Sequence, residues 1–333
     1  MDRESSKAKL FLMSTVLIML VGLHPALSSG SRAGQAALQE ELKIPEISTP
    51  KIENMIDVGG RKLHCCVYGK GSPTVVLVSG LDAPQAYWNT VIPELAAKTT
   101  IVTYDRAGVG KSELGELPAH GEQSARDLHV LLNKLAVPRP YVMVGHSYGG
   151  NVVRLYASLY AADMGGLVLE DTQHEDVLYE LRKILEGKDL EAFDQLMVAR
   201  FSTPEHPKTE ADYRELTRAQ VKKSKPLPRV PLVVLSTGSE RAKAMQPMFS
   251  DKAIEKMAVL DDDLQKKLAA LIPGGRLIIV EGAGHDIHVG KPEALIGPVT
   301  EMIKWVRERS VGSCPTRAGP SGCRTRPLRS IDR

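Results

Sequence analysis

Cysteine is scarce in this chain, at four among 333 residues, which excludes a scaffold built on disulfides. Cys65 and Cys66 are neighbours in a predicted strand, so their side chains leave on opposite faces and do not pair with each other. Packing is the role that remains for them. Cys314 and Cys323 flank a tail rich in Gly, Pro and Arg; they either close a small loop or stay as free thiols, and the tail over 311–333 reads as disordered. An excess of one charge is also lacking. With 43 Lys and Arg against 40 Asp and Glu, and the basic residues spread through the body or gathered in that tail, no nucleic-acid footprint is present. No internal repeat is evident.

A long apolar run is missing as well. The most apolar stretch, Leu10 to Leu23, follows Arg3, Lys7 and Lys9 and precedes the small residues around Ala26 and Ser28. It falls short of the roughly 20 residues a membrane span needs and suits the core of a signal peptide cleaved after Ser28. An uncleaved anchor through residues 10–23 is the other reading; a secreted or otherwise extracytoplasmic protein is expected in both. Residues 29–50 then read as a linker, and a folded body as 51–310.

That body opens with two strand-like segments, Lys51 to Val58 and Arg61 to Tyr68, joined by Gly59-Gly60, a two-residue hairpin signal. Short apolar runs follow at Thr74 to Ser79, Thr100 to Tyr104, Tyr141 to Val144, Leu167 to Glu170, Leu232 to Ser236 and Arg276 to Val280. Runs such as Val75-Val76-Leu77-Val78 are apolar on both faces, the pattern of buried parallel strands covered by helices. Between them, Ser124 to Leu135, Asn151 to Tyr160, Asp261 to Leu271 and Glu293 to Arg309 carry helical spacing. The fold class is therefore α/β, a mostly parallel sheet with helices on both faces. About sixty residues separate the strands ending at Glu170 and starting at Leu232, and 173–229 read as a helical cap inserted over the sheet, in which Glu175 to Arg200 is charged and amphipathic with helical spacing.

Chemistry concentrates at Tyr141 to Gly150, where a buried strand runs into Gly145-His146-Ser147-Tyr148-Gly149 and then a helix. Glycines at 145 and 149 remove side chains that would crowd the neighbouring strand and helix, so Ser147 projects from a sharp turn as a nucleophile. A serine hydroxyl needs a base. Of nine histidines, His285 alone lies in a glycine-rich loop after the last strand, in Gly282-Ala283-Gly284-His285. His288 forms a His-x-x-His pair with it, but no further cluster of ligand spacing accompanies the pair, so no metal and no cofactor are expected. His146 is expected to pack beside its strand. The oxyanion hole is assigned to the amides of Tyr148 and of Leu81, the latter in the loop Ser79-Gly80-Leu81-Asp82; Asp82 is expected to cap the next helix.

Taken with Gly60-Arg61-Lys62-Leu63-His64, Gly69, Tyr104-Asp105-Arg106-Ala107-Gly108-Val109-Gly110-Lys111-Ser112 and Gly284-His285, these motifs make the chain resemble the α/β-hydrolase superfamily, of serine esterase and lipase type, from about Asp57 to Trp305. The resemblance implies the α/β-hydrolase fold, and hydrogen-bonding rather than catalytic roles for Asp105 and Arg106. It also exposes two departures. Ser79-Gly80 stands where many members have His-Gly, and Arg241, in Thr237-Gly238-Ser239-Glu240-Arg241, occupies the common place of the triad acid. Asp171, after the preceding strand, is the favoured acid, with Glu240 the alternative and Glu170 a third; helix capping is the competing role for Asp171. The implied activity is hydrolysis of esters of small or medium acyl substrates through an acyl-enzyme. The same groups would serve a peptidase or acyltransferase, and a non-catalytic binding protein of the same fold is the rival from another class.

Overall fold

The computed structural model describes residues 48–116, 118–201, 210–246 and 248–312. The expected signal segment, nearly all of the linker, Cys314 and Cys323 lie outside the described residues. Eight strands form one sheet in the order β1-β2-β4-β3-β5-β6-β7-β8. β1 (Ile52–Asp57) and β2 (Lys62–Tyr68) pair antiparallel from Ile52 opposite Val67 to Asp57 opposite Lys62. Their connection needs left-handed backbone, which Gly59 and Gly60 supply at φ 99° and 85°. β2 is antiparallel to β4 (Ile101–Tyr104), and every other pairing is parallel, among β3 (Thr74–Val78), β5 (Tyr141–His146), β6 (Met164–Glu170), β7 (Leu232–Ser236) and β8 (Arg276–Ile279).

Alternation along the strands sorts the core into two layers. Val76, Val78, Met143, Leu167 and Leu169 face one layer, closed by α2 (Gly121–Leu135) and α3 (Tyr148–Leu159) through Leu128, Leu131, Leu132 and Val152. Val75, Leu77, Val142, Val144 and Val168 face the other, closed by α1 (Ile92–Ala96) and α10 (Pro292–Gly312) through Ile92, Leu95, Leu295, Val299 and Ile303. Cys65 joins the first layer and Cys66 the second, both as buried free thiols. Burying strands on both faces in this way is what a mostly parallel sheet demands.

Between β6 and β7 the chain builds α4 (Val177–Ile184), α5 (Gly187–Phe201) and α6 (Arg214–Lys223). The stretch with helical spacing over Glu175 to Arg200 forms two helices, because Leu185 is extended and Gly187 is left-handed at φ 53°. Helix α6 escaped the sequence reading. Phe193, Val177 and Leu181 of this segment pack against Met245, Phe249 and Met257 in a third apolar cluster. That contact uses α8 (Asp251–Ala269), which begins well before the expected Asp261 because Ser250 accepts from the Ala253 amide as its N-cap. Two short helices complete the set among the described residues, α7 (Glu240–Lys243) and α9 (Ile287–Gly290). Among the described residues no helix is long and apolar enough to cross a membrane.

Candidate active site

Parallel strands deliver their following loops to one edge of the sheet, and the candidate residues fall there: Leu81 after β3, Ser147 after β5, Asp171 after β6, Glu240 after β7 and His285 after β8. Ser147 bridges β5 and α3 with φ 50° and ψ −118°, a backbone conformation that is strained for any residue with a side chain. Its amide donates to the Glu170 carbonyl at 2.9 Å. A Cβ at Gly145 would stand 2.6 Å from the Gly149 carbonyl oxygen, and one at Gly149 would collide with the carbonyls of Val78 and Ser79. The bend thus exists only because both positions lack side chains. Ser147 itself is 6% exposed.

The Asp171 carboxylate is fully buried and accepts His285 Nδ1 at 2.6 Å on Oδ2. Arg241 Nη2 lies 2.5 Å from the other oxygen and donates to the Asp171 carbonyl at 2.8 Å, while Nη1 donates to Asp261 at 2.9 Å. Thr237 adds its amide and hydroxyl to Oδ1 at 3.3 Å each. Burial alone would raise the Asp171 carboxyl, but the Arg241 charge and the bond to His285 hold it well below the usual carboxylate range. An ionised carboxylate only accepts, so Nδ1 carries the imidazole proton and Nε2 carries the lone pair. Nε2 is buried and makes no hydrogen bond among the described residues. Burial pulls the His285 pKa down, and the hydrogen bond and charge of Asp171 outweigh it, leaving a net upward shift.

The other acids are engaged elsewhere. Glu240 heads α7 and pairs with Lys243 at 2.8 Å. Glu170 accepts the His288 amide and Nδ1 at 2.7 and 2.8 Å, both side chains being fully buried. Asp171 does not cap α4, whose N-cap is Asp176. His146 packs beneath the site with its ring 4.7 Å from that of His285 and its Nε2 3.1 Å from the His285 carbonyl; burial and the neighbouring His285 lower it to about 4.

Leu81 and Tyr148 are both buried, and no backbone hydrogen bond occupies either amide among the described residues. Tyr148 opens α3, where the first amides have no intrahelical acceptor and the helix dipole is positive. The Leu81 loop is fixed from behind. Arg106 donates to the carbonyls of Ser79 and Gly80 and forks onto both oxygens of Glu210 at 2.6 Å, and Glu210 accepts the Asp82 amide at 2.8 Å. Asp82 does not cap the next turn: that turn starts after Pro84, and Asp105 accepts the Gln85 amide at 2.6 Å. Asp105 and Arg106 thus make hydrogen bonds, with Asp105 also accepting from the Lys111 amide and facing His64 Nδ1 at 3.0 Å.

Sequence reasoning missed Glu210, Arg214 and Arg218. They come from a segment with no motif, and only folding brings Glu210 to Arg106 and the Asp82 amide, and Arg214 and Arg218 to a small pocket they line with Ser147, Tyr148, Asn151 and Gln173.

A profile of the alpha/beta hydrolase family matches residues 75–297. YqjL, an uncharacterised protein of Bacillus subtilis strain 168, is 27% identical over 226 residues, 67% of this chain and 81% of its own length. A soluble epoxide hydrolase of Corynebacterium sp. strain C12 is 30% identical over 111 residues, 33% of this chain and 38% of its own. Among solved structures, a thermophilic esterase from Thermogutta terrifontis aligns with TM-score 0.50 at 21% identity, covering 78% of this chain and 99% of that one. The epoxide hydrolase CorEH aligns with TM-score 0.51 at 18% identity over 77% of this chain and 99% of its own. Through the match that spans its sheet from β3 onward, the chain belongs to the alpha/beta hydrolase family.

Proposed function

We propose that the protein is a serine hydrolase of carboxylic esters, with Ser147 as nucleophile, His285 as general base, Asp171 as the acid and the Leu81 and Tyr148 amides as oxyanion donors. One observation carries this reading: Asp171 occupies Nδ1 of His285 at 2.6 Å, which leaves the Nε2 lone pair unengaged at the edge where Ser147 projects. In the proposed cycle His285 takes the Ser147 proton as the oxygen attacks the ester carbonyl, and the two amides hold the resulting oxyanion. The imidazolium returns the proton to the departing alcohol, and water repeats the sequence on the acyl-enzyme. Asp171 stays ionised throughout and stabilises the imidazolium.

Relatives include esterases and epoxide hydrolases, and the residue at the bend favours the former for this chain. A serine that opened an epoxide would be left as an ether, which water does not cleave under such conditions, whereas acylated serine is an ester that hydrolyses. The reaction that regenerates this enzyme is therefore acyl transfer. Export from the cytoplasm, with residues 10–23 either removed or kept as an anchor, belongs to the same proposal and is read by N-terminal sequencing of the mature protein.

A fluorophosphonate probe tests the assignment directly. Labelling at Ser147 in the folded protein, together with hydrolysis of short p-nitrophenyl esters that Ser147→Ala abolishes, is the expected result. Activity that survives Ser147→Ala overturns the mechanism, and a folded protein that neither labels nor hydrolyses any ester points to the binding-protein alternative.

A further inference from the structure

We propose that the ester substrate carries a carboxylate close to the scissile bond, received by the guanidinium groups of Arg214 and Arg218; this rests on the serine-hydrolase reading above. The two arginines stand one helical turn apart on α6, and so on one face of it. They are 6% and 8% exposed and line the same small pocket as Ser147. Placing two cations side by side out of water is costly unless an anion meets them.

Both arginines have partners within the protein. Glu215 takes Arg218 Nη1 from the solvent side, where it is half exposed, and Gln173 accepts from Nη2 at 3.1 Å. Asp82, on the oxyanion loop, and Glu215 both favour the charged form of Arg214. Even so, burial and the repulsion of Arg218 pull Arg214 down to about 9. A further anion entering the pocket would relieve this repulsion. Among the described residues the rest of the lining is Ser147, Tyr148, Asn151 and Gln173, none of them an acid or an aliphatic side chain. Asn151 is buried with its Oδ1 unpartnered among the described residues, and a half-turn of its amide would present the NH2 group instead.

The arginines are also held in place. Thr217, between them on α6, accepts from the Gly121 amide at 2.8 Å and meets the Tyr148 hydroxyl at 3.1 Å, and Gln220 accepts from the Glu122 amide at 3.1 Å. These bonds tie α6 to the N-termini of α2 and α3, so the cationic face is registered against the helix that starts at the nucleophile. A planar carboxylate matches a guanidinium fork in two-point contact.

The experiment pairs binding with turnover. Monomethyl glutarate and dimethyl glutarate, which differ in one charge near the ester, are titrated calorimetrically into the Ser147→Ala protein and assayed with the wild type. The anionic ester is expected to bind and to show a kcat/KM about 10- to 100-fold above the neutral one, the range of a hydrogen bond to a charged group. Arg218→Gln is expected to reduce that ratio to near one. Equal binding of the two esters by Ser147→Ala overturns the carboxylate proposal while wild-type hydrolysis of both keeps the hydrolase reading. Binding of the monoester with no hydrolysis and no fluorophosphonate labelling in the wild type supports the anion site and overturns the enzyme. Should Arg218→Gln not fold, the titration of Ser147→Ala decides alone.

Discussion

Arg241 closes on Asp171 from the side opposite His285, with Nη2 2.5 Å from Oδ1, so one carboxylate has an imidazole on one oxygen and a guanidinium on the other. Arg241, at the position where the resemblance places an acid, thus buttresses the carboxylate proposed here as the acid, one strand earlier. Arg241 is nearly buried and also holds Asp261. Replacing it by Gln leaves two carboxylates in the interior without their cation, and breaking such a pair costs about 3–5 kcal/mol. Urea unfolding of Arg241→Gln is expected to show a loss of that order. The Arg241 charge also lowers the His285 pKa, so its removal moves the acid limb of kcat/KM to higher pH. A limb that stays put or moves down would contradict the electrostatic coupling.

As the proposed base, His285 would work only when neutral, and its pKa is raised above the ordinary 6.5. Activity is therefore expected to rise with pH through a value above that figure. Asp171→Asn removes both the acceptor that fixes the proton on Nδ1 and the charge that raises the ring. The expected outcome is a fall in kcat of about 10³–10⁴-fold, with the residual activity's acid limb displaced to lower pH. Glu240→Gln serves as the comparison. Glu240 is bound to Lys243 at the surface, and this variant is expected to keep its kcat within about twofold, as exposed pairs contribute little. A loss at Glu240 equal to that at Asp171 would reverse the assignment of the acid.

The sheet and the Ser147 bend were legible in the sequence because their causes are local. Strands buried on both faces show as unbroken apolar runs, and a backbone that must pass close to its neighbours shows as glycine at 145 and 149. Asp171 was less plain: one carboxylate after a strand looks like another until the fold shows that Glu170 turns to His288 and Asp171 to His285. The supports of the site were not legible at all. Glu210 reaches Arg106 across 104 positions of sequence, and neither belongs to a pattern that announces the other. The helical spacing over Glu175 to Arg200 was legible, while the division into α4 and α5 rests on Gly187, whose left-handed backbone separates them.

Gly149→Ala tests the bend by adding one methyl group. The new Cβ would collide with the Val78 and Ser79 carbonyls, which belong to β3 and the loop carrying Leu81. Backbone does not yield as a side-chain tip does, so α3 and the Leu81 loop must part. Overpacking of this kind costs about 1–3 kcal/mol, read as a lower urea midpoint. Fluorophosphonate labelling of the folded fraction is expected to slow as well, since Ser147 and Tyr148 sit on the displaced turn. Unchanged stability and labelling would show that the close approach of the two carbonyls is not a constraint.

Arg106 and Glu210 form a two-point ion pair with each side chain 1% exposed, and together they hold three backbone groups of the loop that offers the Leu81 amide. Burial opposes the Arg106 charge, but Glu210 outweighs it and keeps the guanidinium firmly protonated. Either Arg106→Met or Glu210→Gln alone leaves the other partner uncompensated and is expected to cost about 3–5 kcal/mol, whereas the double variant costs less than the sum of the two. Stability alone would be satisfied by any buried pair. The distinguishing readout is catalytic: Glu210 binds the Asp82 amide, next to the proposed oxyanion donor, so loosening it should lower kcat more than it raises KM. A Glu210→Gln protein that loses stability yet keeps kcat would reduce the pair to a structural clasp, and the Leu81 loop would then owe its position to Arg106 and the Ser79 and Gly80 carbonyls alone.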